Sequence, residues 1–493
     1  MVLKEVVICQ NCKTKLSLQQ RSITCPHCSA NAVEFQYQLE QGEPRILREE
    51  EGIWRYSHFL PRFEKKVSLG EGNTPLREAK NLFQRELDLL LKIEGKNPTG
   101  SFLDRISSLM VSDALSQGMD SLISASDGNL GASLSAYCAA AGIKSICVVP
   151  KNAPTEKRAQ MIAYGAQVID YGETIDSSLT LAKKMTEQGR YQATPELNIL
   201  TIEGAKTIAL EIVEQLAHET KSNAKNKNFS QPEYLVVPMG SGSLLYAIWK
   251  GFKQAKESGL LNKKQLPKII GVQLKGFDPI TKAFTTEKGK PIVFTNKAKS
   301  GKKEQGLADA ILVHSPFFGG KAIQSIRESG GIALSVTEQE MIAASKRLGK
   351  KEGVFAELSS ATVIAAIAQL QEDNYFSTDA GVLAIITASG LKTSGAFHKK
   401  TTRKKRVESF RSMGTKVEIL RIIDEGEANF GYGIWKALGK SISLQAIYQH
   451  LQELTAAGHI GELKTTGRKK KYQLTERGKK LIKKMSELEE LLP

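Results

Sequence analysis

From about Glu71 to Phe397, short apolar runs alternate with longer amphipathic stretches, and this alternation limits the chain's architecture more than any other feature. Ser145–Pro150, Gln167–Tyr171, Tyr234–Pro238, Ile269–Leu274 and Val382–Thr387 read as strands. Strands separated by helical stretches build a parallel sheet flanked by helices, the α/β class. Two turns of small residues, Ser126-Asp-Gly-Asn-Leu-Gly131 and Gly240-Ser-Gly-Ser243, fall between a strand and a helix. Such turns release backbone N–H groups beside the positive end of the helix, where an anion can sit. Tight packing asks for the same residues, and the turns alone do not separate the two readings.

At 493 residues the chain is longer than the ~100–200 residues of one domain, so it is expected to hold several units. With 41% apolar and 25% charged residues it is neither collagenous nor disordered. No apolar run approaches the ~18 residues of a membrane span, and Met1–Gln10 lacks a secretory core, so a cytoplasmic protein is expected. The formal charge of +17 is uneven: the 96 residues from His398 onward carry 21 Lys+Arg against 11 Asp+Glu, or +10 of it. A basic last fifth suits a polyanionic partner.

Four of the six cysteines form two pairs, Cys9-Gln-Asn-Cys12 and Cys25-Pro-His-Cys28. A two-residue gap lets both thiolates of a knuckle grip one tetrahedral ion, and two knuckles close a four-sulfur site with no open position. The expectation is a structural zinc in a ribbon over residues 1–33, followed by a connecting segment over 34–70. His27 reads as a solvent-facing loop residue, and Cys138 and Cys147, in apolar surroundings, as small core residues.

The ordered motifs of the central region resemble one family, the pyridoxal-phosphate enzymes of fold type II, and among them threonine synthase. They are Trp54-Arg55-Tyr56, Leu69-Gly-Glu-Gly-Asn-Thr-Pro-Leu76, Asn97-Pro-Thr-Gly-Ser-Phe102, Glu203-Gly204 with Lys206-Thr-Ile208, Glu357 with Ser359-Ser-Ala361, and Thr387 with Gly390-Leu-Lys392. The resemblance implies two parallel-sheet subdomains over 71–397. It also implies that Asn129 meets the cofactor's ring hydroxyl, that Gly240, Ser241, Gly242 and Ser243 hold its phosphate, and that Thr387 faces its pyridine nitrogen. Where the family continues into Lys-Asp-Arg, with the lysine forming the Schiff base, this chain has Leu103-Asp104-Arg105. Leucine carries no amine, so it can neither condense with an aldehyde nor move protons between substrate carbons. Asp127 stands where the family has Ser or Thr in the loop that receives the substrate carboxylate, and a second negative charge there would repel one. The phosphate loop and Thr387-Ala-Ser-Gly390 also depart from the family's forms. Lys92 and Lys96 are the lysines nearest in sequence to the vacated position, and a solvated or phosphate-facing role is expected for both.

A basic linker, 398–413, precedes a last unit over 414–493. Val417, Ile419, Leu420, Ile422 and Ile423 mark a first helix, and Tyr432, Ile434, Trp435 and Leu438 a second. A third starts at a Ser443 cap, buries Ala446, Ile447, Leu451 and Leu454, and turns Gln445, Tyr448, Gln449 and Gln452 outward. A hairpin with a basic tip, Arg468-Lys-Lys-Lys471, and a final helix complete the order. This resembles the winged helix-turn-helix of transcription regulators. Gln445, Tyr448 and Gln449 are then expected at DNA base edges, and Arg468, Lys469, Lys470 and Lys471 at phosphates.

The expected protein is therefore a DNA-binding regulator whose enzyme-like domain senses a small phosphorylated or amino-acid ligand. Pyridoxal phosphate, if bound, is held noncovalently, and the chain pairs as a homodimer. Two other readings are an active, threonine-synthase-like carbon–oxygen lyase acting on phosphates and a scaffold for an active paralogue.

Overall fold

The apolar runs become strands within a residue or two of where their β-branched content places them. The computed structural model describes residues 4–38, 45–83, 87–126, 128–151, 153–187, 189–222, 232–261, 266–286, 308–377, 380–396, 415–439, 442–463 and 470–489. The chain divides into two units, Met1–Gly395 and Ala396–Pro493.

The first unit opens with β1 (Lys4–Cys9), β2 (Lys15–Leu16) and β3 (Val33–Gln38), an antiparallel sheet in the order β2-β1-β3. β3 pairs with β1 along its whole length, from Cys9 opposite Val33 to Lys4 opposite Gln38. The ribbon therefore runs past the expected boundary at residue 33, because β1 needs a partner on its second edge. The stretch after β3 is not merely a connector either: a 3-10 segment, Gly52–Phe59, buries Ile53, Trp54, Tyr56 and Phe59.

Ten further strands come next in chain order: β4 (Leu76–Glu78), β5 (Asp88–Ile93), β6 (Ser121–Ala125), β7 (Lys144–Val149), β8 (Gln167–Asp170), β9 (Tyr191–Gln192), β10 (Tyr234–Pro238), β11 (Lys268–Leu274), β12 (Ile332–Val336) and β13 (Gly381–Ile386). They form a six-stranded sheet in the order β12-β11-β10-β13-β5-β4, parallel except for β4, and a parallel four-stranded sheet in the order β8-β7-β6-β9. This is the α/β architecture of fold type II. β10 and β13 are side by side, although more than 140 residues separate them. Their carboxyl ends, and the turns beyond them, are thereby neighbours. The helices Leu103–Ser116 and Leu200–Ser222 pack closely at Gly204, where an added Cβ would come within 2.7 Å of Arg105 O.

A buried charge network fixes the start of the helix Leu103–Ser116. Arg105 is fully buried, and its guanidinium donates to both carboxylate oxygens of Glu94, at 2.7 and 2.8 Å, and to Glu211 at 2.9 Å. Lys92 reaches the other oxygen of Glu211, and the backbone N–H groups of Asn73 and Thr74 donate to the same carboxylate. Burial alone would raise the pKa of Glu211, but Arg105 and Lys92 hold it well below the usual carboxylate range.

The second unit has helices over 415–424, Gly431–Ala437 and Leu444–Ala456, then β14 (Ile460–Leu463) paired antiparallel with β15 (Lys471–Leu474), then the helix Glu476–Glu489. This is the order the periodicity suggested. Ser443 caps the third helix by accepting from Ala446 N at 3.2 Å. Ile419, Leu420, Ile434, Ile447, Leu451, Leu454, Ile460 and Tyr472 form the core. Among the described residues no helix is long and apolar enough to cross a membrane.

Removing one partner of a buried ion pair leaves the other charge uncompensated, at a cost of about 3–5 kcal/mol. Arg105→Met is expected to lose that much stability, read as a lower denaturation midpoint in urea. A loss below about 1 kcal/mol would show that the network does not organise this helix.

Candidate functional site

In parallel α/β sheets, ligands bind outside the carboxyl ends of the strands. A cleft of about 210 Å³ lies there, and Leu103, Asn129, Lys157, Glu357, Thr387 and the whole of Gly240–Ser243 line it. Every pocket position named from the sequence, Asn129, Gly240, Ser241, Gly242, Ser243 and Thr387, is thus brought to one place.

The Gly240–Ser243 turn leads from β10 into the fifteen-residue helix Ser243–Glu257. Gly242 has φ +88°, and a Cβ there would meet Phe318 O at 3.0 Å, so the turn requires glycine. The first N–H groups of a helix have no intrahelical acceptor and carry the positive end of its dipole. Ser241 and Ser243 add two hydroxyls, 3.0 Å apart. These are the donors a phosphate needs.

The other small-residue turn behaves differently. Ser126 Oγ accepts from Gly128 N at 3.0 Å and from Gly131 N at 2.9 Å, so a side chain within the turn takes donors that the sequence had left free for an anion. Asp127 lies outside the described residues.

Thr387 follows β13, and its hydroxyl is paired with Ser360 Oγ at 2.7 Å. Phe102 N donates to Thr387 O at 3.0 Å and Ser389 N to Gly100 O at 2.9 Å, so the 97–102 turn is stitched to the end of β13. Leu103 begins its helix directly beyond this stitch and faces the cleft. Lys96 is exposed, as expected, but Lys92 is not solvated: it is fully buried in the Glu211 network. Its place on β5 turns it into the protein interior.

Also lining the cleft, Asn129 Nδ2 donates to Glu357 Oε2 at 2.9 Å, and Ser359 Oγ donates to the same oxygen at 3.1 Å. Lys157 Nζ approaches Glu357 Oε1 at 3.0 Å, an ion-pair contact without the alignment of a hydrogen bond. Gly128 leaves the space that the lysine stem fills, since a Cβ there would sit 2.0 Å from Lys157 Cδ. Sequence reasoning missed Lys157. It lies in an ordinary polar helix, Thr155–Ala163, and only the fold buries it in the cleft. Nearby, Lys392 donates to Gln160 Oε1 at 2.7 Å; burial lowers its pKa to about 8, with Asp104 and Glu357 opposing the shift.

Away from the cleft, Cys9, Cys12, Cys25 and Cys28 place their sulfurs within 4.8 Å of one another. The Cys9–Cys28 and Cys12–Cys25 separations are 3.6 and 3.7 Å. A tetrahedron of thiolates ~2.3 Å from a zinc ion has edges of about 3.8 Å, so the donor set fits that metal. The two knuckles repeat each other: Cys9 N donates to Thr14 O and Cys25 N to Ala30 O, while Lys13 N returns to Cys9 O and Ser29 N to Cys25 O. His27 is exposed, and Cys138 and Cys147 are buried.

In the second unit Gln445, Tyr448 and Gln449 are exposed on one helix. Gln449 donates to Glu453 at 3.1 Å, and the ring of Tyr448 rests on Gly431. Lys470 is paired with Glu462 at 2.8 Å, and Lys471 begins β15. Arg468, Lys469 and the 398–413 linker lie outside the described residues.

Residues 67–388 match the family model described as pyridoxal-phosphate dependent enzyme. The chain is 36% identical over 399 residues to threonine synthase of Methanocaldococcus jannaschii, covering 79% of this chain and 93% of that protein. To threonine synthase of Methanosarcina acetivorans it is 33% identical, covering 78% and 91%. Among solved structures, maize serine racemase superposes with TM-score 0.53 at 21% identity, covering 69% of this chain and 94% of the other. The processed form of threonine deaminase isoform 2 from Solanum lycopersicum gives 0.52 at 23% identity, covering 66% and 87%. At those identities the likeness is one of fold.

Lys392 supplies a pH test of the cleft's electrostatics. Its folded pKa of about 8 is below the ordinary lysine value, so between the two the unfolded chain binds more protons and stability rises with pH. Relative to Lys392→Met, the unmodified protein should gain on the order of 1–3 kcal/mol between pH 8 and pH 10. Denaturation of both at each pH measures it, and a constant difference would contradict the assignment.

Proposed function

The chain belongs to the pyridoxal-phosphate dependent enzyme family as a threonine-synthase-like member, and from that premise we propose that it is a ligand-sensing transcription regulator. In this reading the family's cleft binds without turnover, and residues 414–493 bind DNA. The observation that carries it is Leu103. An alkyl side chain in the cleft, at the position where the family's lysine is expected, removes the amine the reaction needs and leaves the phosphate turn intact. A sensor requires binding and differential affinity but no chemistry.

Pyridoxal phosphate fits the remaining donors. Gly240–Ser243 would hold its phosphate, Asn129 its ring hydroxyl, and Thr387 would face its ring nitrogen, all noncovalently. When bound, such a group supplies an electron sink; this chain's part is to orient it and exclude water. The cysteine cage holds one structural zinc, whose four positions are all taken by sulfur. Metal analysis of protein never exposed to chelator should find one zinc per chain; less than half an equivalent would contradict this.

The DNA reading draws on the basic last fifth, on the helix that exposes Gln445, Tyr448 and Gln449, and on the run of four cations Arg468-Lys-Lys-Lys471 in the sequence. A homodimer would present two such helices to half-sites about one turn of DNA apart. A second reading, an active carbon–oxygen lyase acting on phosphates, draws on Lys157, an amine that lines the same cleft. Absence of an amine adduct when pyridoxal phosphate and borohydride are added would count against it.

The regulator reading is tested by mapping the protein on its own genome and titrating DNA across salt. Each phosphate contact contributes ~0.9 to the slope of log affinity against log salt. Changing Lys469, Lys470 and Lys471 to Ala should flatten that slope by about two to three units, the lower figure allowing for the Lys470–Glu462 pair. No binding at low salt, or an unchanged slope, would favour the scaffold reading instead.

A further inference from the structure

The lining of the cleft holds one buried acceptor without a partner among the described residues, Asn129 Oδ1, and a second, Glu357 Oε1, met only by the ammonium of Lys157. Asn129 is 6% exposed, and donation from its amide nitrogen to Glu357 Oε2 fixes the amide's orientation. Its Oδ1 is therefore the free end, and it has no hydrogen-bond partner among the described residues. Glu357 is 3% exposed; Asn129 and Ser359 use Oε2, while Oε1 meets Lys157 only as a misaligned ion pair. Leu103 and Leu130 line the space between and offer an apolar surface.

A buried acceptor without a donor is costly, and a ligand that supplies the donor recovers that cost. A ligand that brings another acceptor worsens it. We propose that the cleft selects a phosphate monoester whose far end donates a hydrogen bond, as an amine or alcohol does, over one ending in an aldehyde. This rests on the reading of the cleft as a ligand pocket. The phosphate sits in the Gly240–Ser243 turn, the apolar body lies along Leu103, a ring hydroxyl reaches Asn129 Oδ1, and the donor end reaches Glu357 Oε1. Lys157 gives an anionic oxygen on the ligand a counter-charge. With leucine at 103, no lysine at that position competes for an aldehyde, so the preference is set by hydrogen-bond polarity rather than by covalent capture.

Three probes differ only in the group concerned: pyridoxamine 5′-phosphate, pyridoxine 5′-phosphate and pyridoxal 5′-phosphate. Calorimetric titration of the full chain should show the amine and alcohol forms binding at least about tenfold more tightly than the aldehyde. Glu357→Gln, which turns one acceptor into a donor, should shrink that ratio to within about threefold. The ranking is read on the unmodified chain, so it stands even if the variant unfolds. Aldehyde binding as tight as amine binding would overturn the proposal, as would a pyridoxyl group fixed by borohydride on Lys157. If inorganic phosphate binds and the three esters do not, the selection fails while the phosphate turn stands. If none of the four binds, the cleft is not a ligand pocket, and the sensor reading fails with it.

Discussion

Arg105 lies wholly inside the protein, and much of the first unit is arranged around keeping its charge satisfied. Its guanidinium grips Glu94 at the end of β5 and Glu211 on the helix Leu200–Ser222, while Glu211 is held by Lys92 and by the backbone of Asn73 and Thr74. Separating such charges inside a protein is costly, so the elements that carry them cannot drift apart. The Leu69–Leu76 and Asn97–Phe102 motifs are fastened to this network, and the helix that starts at Leu103 inherits its orientation from it. The side chain that faces the cleft at position 103 is therefore placed from two residues away, by a group that never touches the cleft.

Much of this was legible in the sequence, because parallel strands announce themselves as β-branched runs and their carboxyl-terminal turns as small residues. The Gly240–Ser243 turn could be singled out in advance for that reason, whereas Asn129 and Thr387 were named only through the family resemblance. The two CxxC pairs were readable from spacing alone, since a metal cage is a local device. Long-range burial was not readable. Lys92 looks like a surface lysine until β5 is set between β13 and β4, and Lys157 sits in a helix whose pattern gives no sign that one cation points inward. The Ser126 turn stayed open between anion binding and packing for a related reason: whether its N–H groups are free depends on one hydroxyl's rotamer, which composition does not encode.

The cleft and the second unit suggest different partners. Around the cleft, a helix amino terminus and two serine hydroxyls face an apolar wall and a pair of buried acceptors, an arrangement suited to a small phosphorylated compound. The second unit combines exposed amide and phenol side chains with a basic sequence, and its charge is of the sign that a nucleic acid attracts. On the proposed reading, Leu103 in the first and the basic residues of the second together suit a chain that reports a metabolite rather than consumes it.

That account stands or falls on coupling between the two sites. If the cleft regulates DNA binding, saturating it must change DNA affinity, and by linkage DNA must change the ligand's affinity by the same factor. The direct measurement is DNA affinity of the full chain at fixed salt, with and without saturating pyridoxamine 5′-phosphate, together with the ligand's affinity with and without DNA. The account predicts shifts of at least about fivefold, equal in both directions. Ligand and DNA that both bind, each with an affinity indifferent to the other, would contradict it.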